Sequence, residues 1–475
     1  MPRFEDADFG VEAAPRDPRP SDAQGALSPH GRPSVQPIPD ENGGTIEIPA
    51  SRSSISGTSA MMHHLSLQPS MRDRRGSRNS FGTSLPIPRS PRLSRASRGE
   101  RPSVLRRDIL AGQLQSLQED KVAKVKNMAF AFDIDGVLAH GNKAIEEAKI
   151  ALRILNGDNE LGIQFPYILL TNGGGKTEEA RCAQLTEVLG HPISTDQFIQ
   201  SHTPMQALAE YYDNVLVLGG EGFKIRDVAE QYGFKNVIHP KDIVAWDPTI
   251  SPCAVFTEED KKLARPRDFS NFKFDAILYF AESYDQMTDY QLISDLLNSD
   301  NGQLLTRAMK GQDHIPIYFS QGDLLCPTEH KGPPRLHLGA IRLAVEAHYK
   351  AVSGRDLERT LYGKPERATY VYADEVLAAW MEELYGEKRL PKNIYMVGDN
   401  PASDIIGGNM YGWNTCLVRT GVFQGGENDE LNPANFGVFP NVLEAVKAAL
   451  AKELGPEFKL KWDPKNANTG GSAIE

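Results

Sequence analysis

From residue 128 onward the chain is punctuated by short apolar runs of strand length: MAFAF (128–132), PYILL (166–170), NVLVLGG (214–220), FDAILYF (274–280), IPIYFS (315–320), NIYMV (393–397) and NTCLV (414–418). Helical patterns lie between several of them. Tyr290, Ile293 and Leu297 fall at i, i+3 and i+7, and so do Leu338, Ile341 and Val345, the spacing of one apolar helix face. Near-continuous apolar strands alternating with amphipathic helices predict an α/β fold, a Rossmann-like parallel sheet covered on both faces. Ligands of such sheets bind beyond the carboxyl ends of the strands. The polar residues that follow each run are therefore the candidates for chemistry.

Those positions form a set. After MAFAF come Asp133 and Asp135, in AFDIDGVLAHG. Gly136 predicts that the strand bends there, and two anions crowded at a strand-to-loop junction call for a cation or a polarised substrate between them. After PYILL come Thr171, Asn172 and Gly173, in LLTNGGGK; after NIYMV come Asp399 and Asp404, in GDNPASD; Lys364 lies upstream, in LYGKP. Carboxylates, a hydroxyl and one cation at a single sheet edge outline a Mg²⁺ and phosphate site. Mg²⁺ takes oxygen ligands and keeps several waters. Thr171 and the amides of the glycine turn can donate to phosphate oxygens, and Lys364 supplies a point charge. Singly, each signal has a plainer reading: Asp-Gly as a turn, Asp404 as a helix cap, Lys364 as a solvated lysine before a proline. GGGKT (173–177) is not a P-loop, because that motif needs glycine where Leu170 stands. The His63-His64 pair reads as incidental and the acidic run 258–260 as solvated surface.

DIDGVLAHG, LLTNGGG, YGKP and GDNPASD, in this order, resemble motifs I to IV of the haloacid dehalogenase (HAD) superfamily over about residues 127–455. The long insert between the second and third motifs resembles subfamily IIA, and TNGGG, FSQGDLL and YGKP are similar to its cat-eye-syndrome-critical-region-type branch. The resemblance implies a HAD core in two parts, 120–202 and 336–457, with an inserted α/β cap at 203–335 and a tail at 458–475. It implies a Mg²⁺-dependent phosphatase acting on a small phosphorylated substrate. Asp133 would be the nucleophile, Asp135 the general acid/base and Lys364 the group that steadies the nucleophile. Thr171, Asn172 and Gly173 would bind substrate, and Asp133, Asp135, Asp399 and Asp404 would serve the metal. From the cap, Asp323, Glu282 and Asp285 are candidate contacts, and a homodimer through the cap is an expectation of the same kind. The alternative is a low-turnover HAD-fold binding or regulatory protein, with a link to glycerophospholipid metabolism.

Composition changes the picture at one end only. The chain of 475 residues has a net charge of −11, which argues against nucleic-acid binding. Four scattered cysteines suggest neither a zinc site nor a disulfide framework. No apolar run reaches the roughly 18 residues that span a bilayer, so no transmembrane segment is expected. Residues 1–107, rich in Ser, Pro, Gly and Arg, predict a disordered arm. Between Met61 and Arg107 it holds eleven arginines and two acids, a transit-like composition beginning at a methionine pair. A mitochondrial location is expected from this stretch and from the resemblance; the acids of the first twenty residues favour the cytoplasmic alternative.

Overall fold

The computed structural model describes residues 109–461 except Glu329 and Lys331, and for 109–116 the backbone alone. The 1–107 arm, the Met61 stretch and most of the 458–475 tail lie outside the described residues. Two parallel sheets carry the fold. The first holds six strands in the spatial order Gly437–Phe439, Asn414–Val418, Asn393–Gly398, Met128–Phe132, Tyr167–Leu170, Phe198–Ile199. Read in chain order from the Phe198–Ile199 edge this is 3-2-1-4-5-6, the doubly wound arrangement, whose direction of winding reverses between Met128–Phe132 and Asn393–Gly398.

Alternation along the central strand builds the two layers of core. Met128, Phe130 and Phe132 face one side, against Leu152, Leu155 and Val446, while Ala129 and Ala131 face the other, against Tyr370, Ala373 and Leu377. The alanines leave room for the aromatic side chains of the helix Arg367–Tyr385. The expected helix around Tyr290 is Gln286–Leu297, and that around Leu338 is Leu338–Ser353.

The second sheet runs Thr360–Leu361, Ile317–Phe319, Ala276–Ser283, Asn214–Gly220, Asn236–Ile238, again all parallel. Leu216 and Leu218 pack on one face of it, Val215 and Val217 on the other. This sheet reaches beyond Arg335. Leu338, Val345 and Tyr349 are in its core, and Thr360–Leu361 pairs with Ile317–Phe319. The chain therefore leaves the first sheet after Ile199 and comes back only after Leu361, three residues before Lys364. Among the described residues no helix is long and apolar enough to cross a membrane.

Candidate active site

The reversal point of the first sheet is where the carboxylates collect. Asp133 directly follows Met128–Phe132, and its N–H donates to the Val397 carbonyl of the neighbouring strand at 3.0 Å. Asp399 follows that neighbouring strand. Asp404 lies one turn further, in the widened turn Pro401–Ile405. One carboxylate oxygen from each of Asp133, Asp399 and Asp404 lies within 4.8 Å of the others, and all three residues are buried. Gly136 permits this crowding: its φ is +94°, and a Cβ there would stand 2.7 Å from Asp399 Oδ2.

Lys364 is the cation that the sequence placed among them. Its Nζ donates to Asp133 Oδ1 and to Asp404 Oδ1, each at 2.6 Å, and the side chain is 1 % exposed. Asp404 Oδ2 accepts the backbone N–H groups of Asp399 (3.1 Å) and Asn400 (3.0 Å). Asp399 Oδ2 accepts the Val422 N–H at 2.5 Å. Three buried carboxylates thus face one ammonium. Burial first, then the neighbouring Asp133 and Asp404, hold the Asp399 carboxyl well above the ordinary range. Burial likewise raises Asp133, against the attraction of Lys364. Burial works against the charge of Lys364, yet Asp133 and Asp404 outweigh it and its pKa rises. An all-oxygen donor set with surplus negative charge fits a hard divalent cation.

Asp135 does not join that cluster. It sits at the mouth with 29 % of its side chain exposed, its Oδ2 3.9 Å from Arg181 Nη2. Burial raises its pKa, and Arg181 opposes the rise. Thr171 Oγ1 accepts the Gly173 N–H at 3.0 Å, which tightens the glycine turn. Asn172 clamps the lysine from behind: its Oδ1 accepts the Lys364 N–H at 2.7 Å, and its Nδ2 donates to the Lys364 carbonyl at 2.9 Å and to Asp323 Oδ2 at 2.8 Å.

Asp133, Asp135, Thr171, Asn172, Gly173, Lys364, Asp399 and Asp404, all singled out from the sequence, line one cavity together with Asp323. Of the other candidates, Glu282 stands behind the wall, its Oε1 3.1 Å from His337 Nδ1. Asp285 caps the helix Gln286–Leu297, accepting from Thr288, and takes no part in the cavity. The structure adds His337 and the short strand Leu325–Cys326, which pairs with Arg335–Leu336, to the lining. Two-residue strands and a histidine before a helix leave no periodic trace in the sequence.

Fold and site together define a doubly wound α/β protein with an acidic centre at its winding reversal. Two family models match it, one described as haloacid dehalogenase-like hydrolase over residues 130–235, the other as HAD-hydrolase-like over 361–445. A mitochondrial hydrolase of Saccharomyces cerevisiae is 41% identical over 350 residues, which cover 69% of this chain and 96% of that protein. The chain belongs to the haloacid dehalogenase-like hydrolases. A Schizosaccharomyces pombe protein named cardiolipin synthase (CMP-forming) / mitochondrial hydrolase fusion protein is 41% identical over 338 residues, 71% of this chain; the chain spans only 55% of that relative. Among solved structures, a 4-nitrophenylphosphatase from Thermotoga maritima is 18% identical, covering 68% of this chain and 98% of its own, with a TM-score of 0.43. Both yeast relatives are named as mitochondrial, in agreement with the location expected from the sequence.

Proposed function

We propose that the protein is a Mg²⁺-dependent phosphatase that hydrolyses a small phosphomonoester through an aspartyl-phosphate. The observation that carries this reading is the cluster of Asp133, Asp399 and Asp404 around Lys364, with Asp135 apart from it at the mouth. Lys364 fixes the Asp133 side chain by holding Oδ1. The carboxylate attacks phosphorus as the bond to the leaving oxygen breaks, and Asp135 gives its proton to that oxygen. The raised pKa of Asp135 suits it to carry that proton. Asp135 then takes a proton from the water that attacks phosphorus, the bond from phosphorus to the Asp133 oxygen breaks, and inorganic phosphate is left. Thr171 and the glycine turn that it braces orient the phosphoryl oxygens. Asp133, Asp399 and Asp404 would hold Mg²⁺, with Asp135 contributing from the mouth. The ion would offset the repulsion between an anionic nucleophile and an anionic substrate.

The test is a panel of phosphate esters, sugar phosphates and a phosphorylated glycerolipid, each with and without Mg²⁺. The glycerolipid is included because of the name of the fission yeast relative. Hydrolysis is expected with Mg²⁺ and not after EDTA treatment, and Ca²⁺ is expected to suppress it, since it takes more ligands in looser geometry. Asp399→Ala is expected to raise the Mg²⁺ concentration for half-maximal rate at least about tenfold, as loss of one anionic ligand weakens a small hard ion's site. Equal turnover by EDTA-treated and untreated protein would show that the carboxylate cluster serves no metal.

A further inference from the structure

Behind the glycine turn runs a buried chain of polar groups that the reaction above does not use. His202 stands where the chain leaves the first sheet, three residues past Phe198–Ile199. Its ring is fully buried and lies against Phe280 of the second sheet, with centroids 5.2 Å apart and planes 17° from parallel. Nε2 accepts the Gly175 N–H at 3.0 Å. A backbone amide can only donate, so Nε2 carries the lone pair and Nδ1 the proton. Nδ1–H therefore donates to the Tyr232 hydroxyl at 2.7 Å. Tyr232 in turn donates to Glu178 Oε1 at 2.5 Å, and Thr203 donates to the same oxygen at 2.6 Å. Burial pushes the imidazole down to about 4, so the neutral ring is the form present near pH 7.

This polar chain crosses from the part built on the first sheet, the first layer, to the part built on the second sheet, the second layer, and back. Gly175 and Glu178 belong to the first layer, the latter as the first residue of the helix Glu178–Leu189; Tyr232 ends the helix Lys224–Gln231 of the second. The turn itself is pinched. A Cβ on Gly174 would stand 2.6 Å from His202 Cδ2, and one on Gly175, whose φ is +92°, would stand 3.1 Å from Ala281 Cβ and 3.6 Å from Gly220 Cα. Gly220 ends one of the two strands between which the second sheet reverses its winding, in the order 2-1-3-4-5, and Ala281 lies two residues before the end of the other. That crevice is where a doubly wound sheet holds a ligand. Here the turn of the first layer fills it.

We propose that His202 is a positioning residue: through Gly175 and Tyr232 it locks the turn 173–175 to the second layer, so that the placement of this layer sets the affinity of the site for phosphoryl oxygens. This rests on the reading of that turn as the phosphoryl cradle. Histidine suits the task because a neutral imidazole offers an acceptor and a donor on opposite edges of a flat ring. It can bridge two polar groups while its face covers Phe280. Glutamine could replace the acceptor but not the flat face; leucine could replace neither.

The full chain is compared with His202→Leu, His202→Gln and Tyr232→Phe. Three quantities are measured: KM and kcat for an ester the unaltered protein hydrolyses, inhibition by inorganic phosphate, and deuterium uptake by the peptide containing 173–175. His202→Leu is expected to raise KM and the phosphate inhibition constant about tenfold, with kcat changed less than about threefold, because a cradle that binds substrate and transition state alike acts on KM. Uptake across the turn should rise. His202→Gln should recover most of the loss, and Tyr232→Phe should show a smaller shift of the same kind. Should His202→Leu fail to fold, the other two variants carry the comparison. Phosphate affinity and uptake unchanged in Tyr232→Phe and in the foldable His202 variants would overturn the proposal. So would a fall in kcat at constant KM. If the unaltered protein cleaves no phosphate ester, the phosphatase reading fails; uptake at the turn then still shows whether His202 holds it.

Discussion

Asp133→Asn is expected to give a folded protein whose phosphatase turnover is lower by about a thousandfold or more, which is roughly 4 kcal/mol in the barrier. The amide has nearly the shape of the carboxylate but no charge with which to attack phosphorus. Stability should survive, because the residue is one of three buried carboxylates around a single lysine. Removing one negative charge lowers the mutual repulsion that, after burial, helps to hold Asp399 well above its ordinary range. The amide oxygen can still accept from Lys364, although a neutral acceptor bonds an ammonium less strongly than a charged one. Steady-state turnover and a urea unfolding curve on the same preparation check both halves. A rate within about tenfold of the unaltered protein, only ~1.4 kcal/mol of barrier, would remove Asp133 as nucleophile.

The ends of Met128–Phe132, Tyr167–Leu170 and Asn393–Gly398 were legible in the sequence because each of these strands is buried on both faces. Such a strand reads as an unbroken apolar run, so the first polar residue after it marks the sheet's carboxyl edge. Asp133, Thr171 and Asp399 were found in that way, and the structure brings them into one cavity. The nature of Asp404 was less legible, since an aspartate near a helix start can be a ligand or a cap. The cap is Asn400, whose side chain accepts the Ala402 N–H; Asp404 reaches back instead, Oδ2 accepting the N–H groups of Asp399 and Asn400 while Oδ1 accepts from Lys364. The extent of the second sheet was not legible. Leu338, Ile341 and Val345 show that a helix has an apolar face, but periodicity does not say which sheet covers it. Its partner strand, Thr360–Leu361, is two residues long, too short for any pattern. His202 and His337 escaped for a related reason. Each owes its place to residues more than a helix length away in sequence, Tyr232 and Phe280 for one, Glu282 for the other.

Lys364→Met is expected to damage the fold as well as the chemistry. The lysine is held at both ends: Asn172 clamps its backbone, and Nζ bridges Asp133 and Asp404. Methionine nearly fills the volume but leaves Asp133, Asp399 and Asp404 buried without a cation. Breaking one side of a buried ion pair costs about 3–5 kcal/mol, since the remaining charge stays desolvated. Distance alone does not predict this loss. Lys261 and Glu258 are also 2.6 Å apart, yet both side chains are largely exposed, and Lys261→Met should change stability little because water screens the pair and solvates what remains. The urea midpoint should therefore fall sharply for Lys364→Met and hardly at all for Lys261→Met. Mg²⁺ should return part of the loss in the first variant, by binding the folded form and replacing the missing positive charge. Turnover should stay low even then, because Asp133 has lost the contact that orients it. Equal midpoints for the two variants would mean that the buried carboxylates take up protons at little cost, and that Lys364 does not hold the acidic centre together.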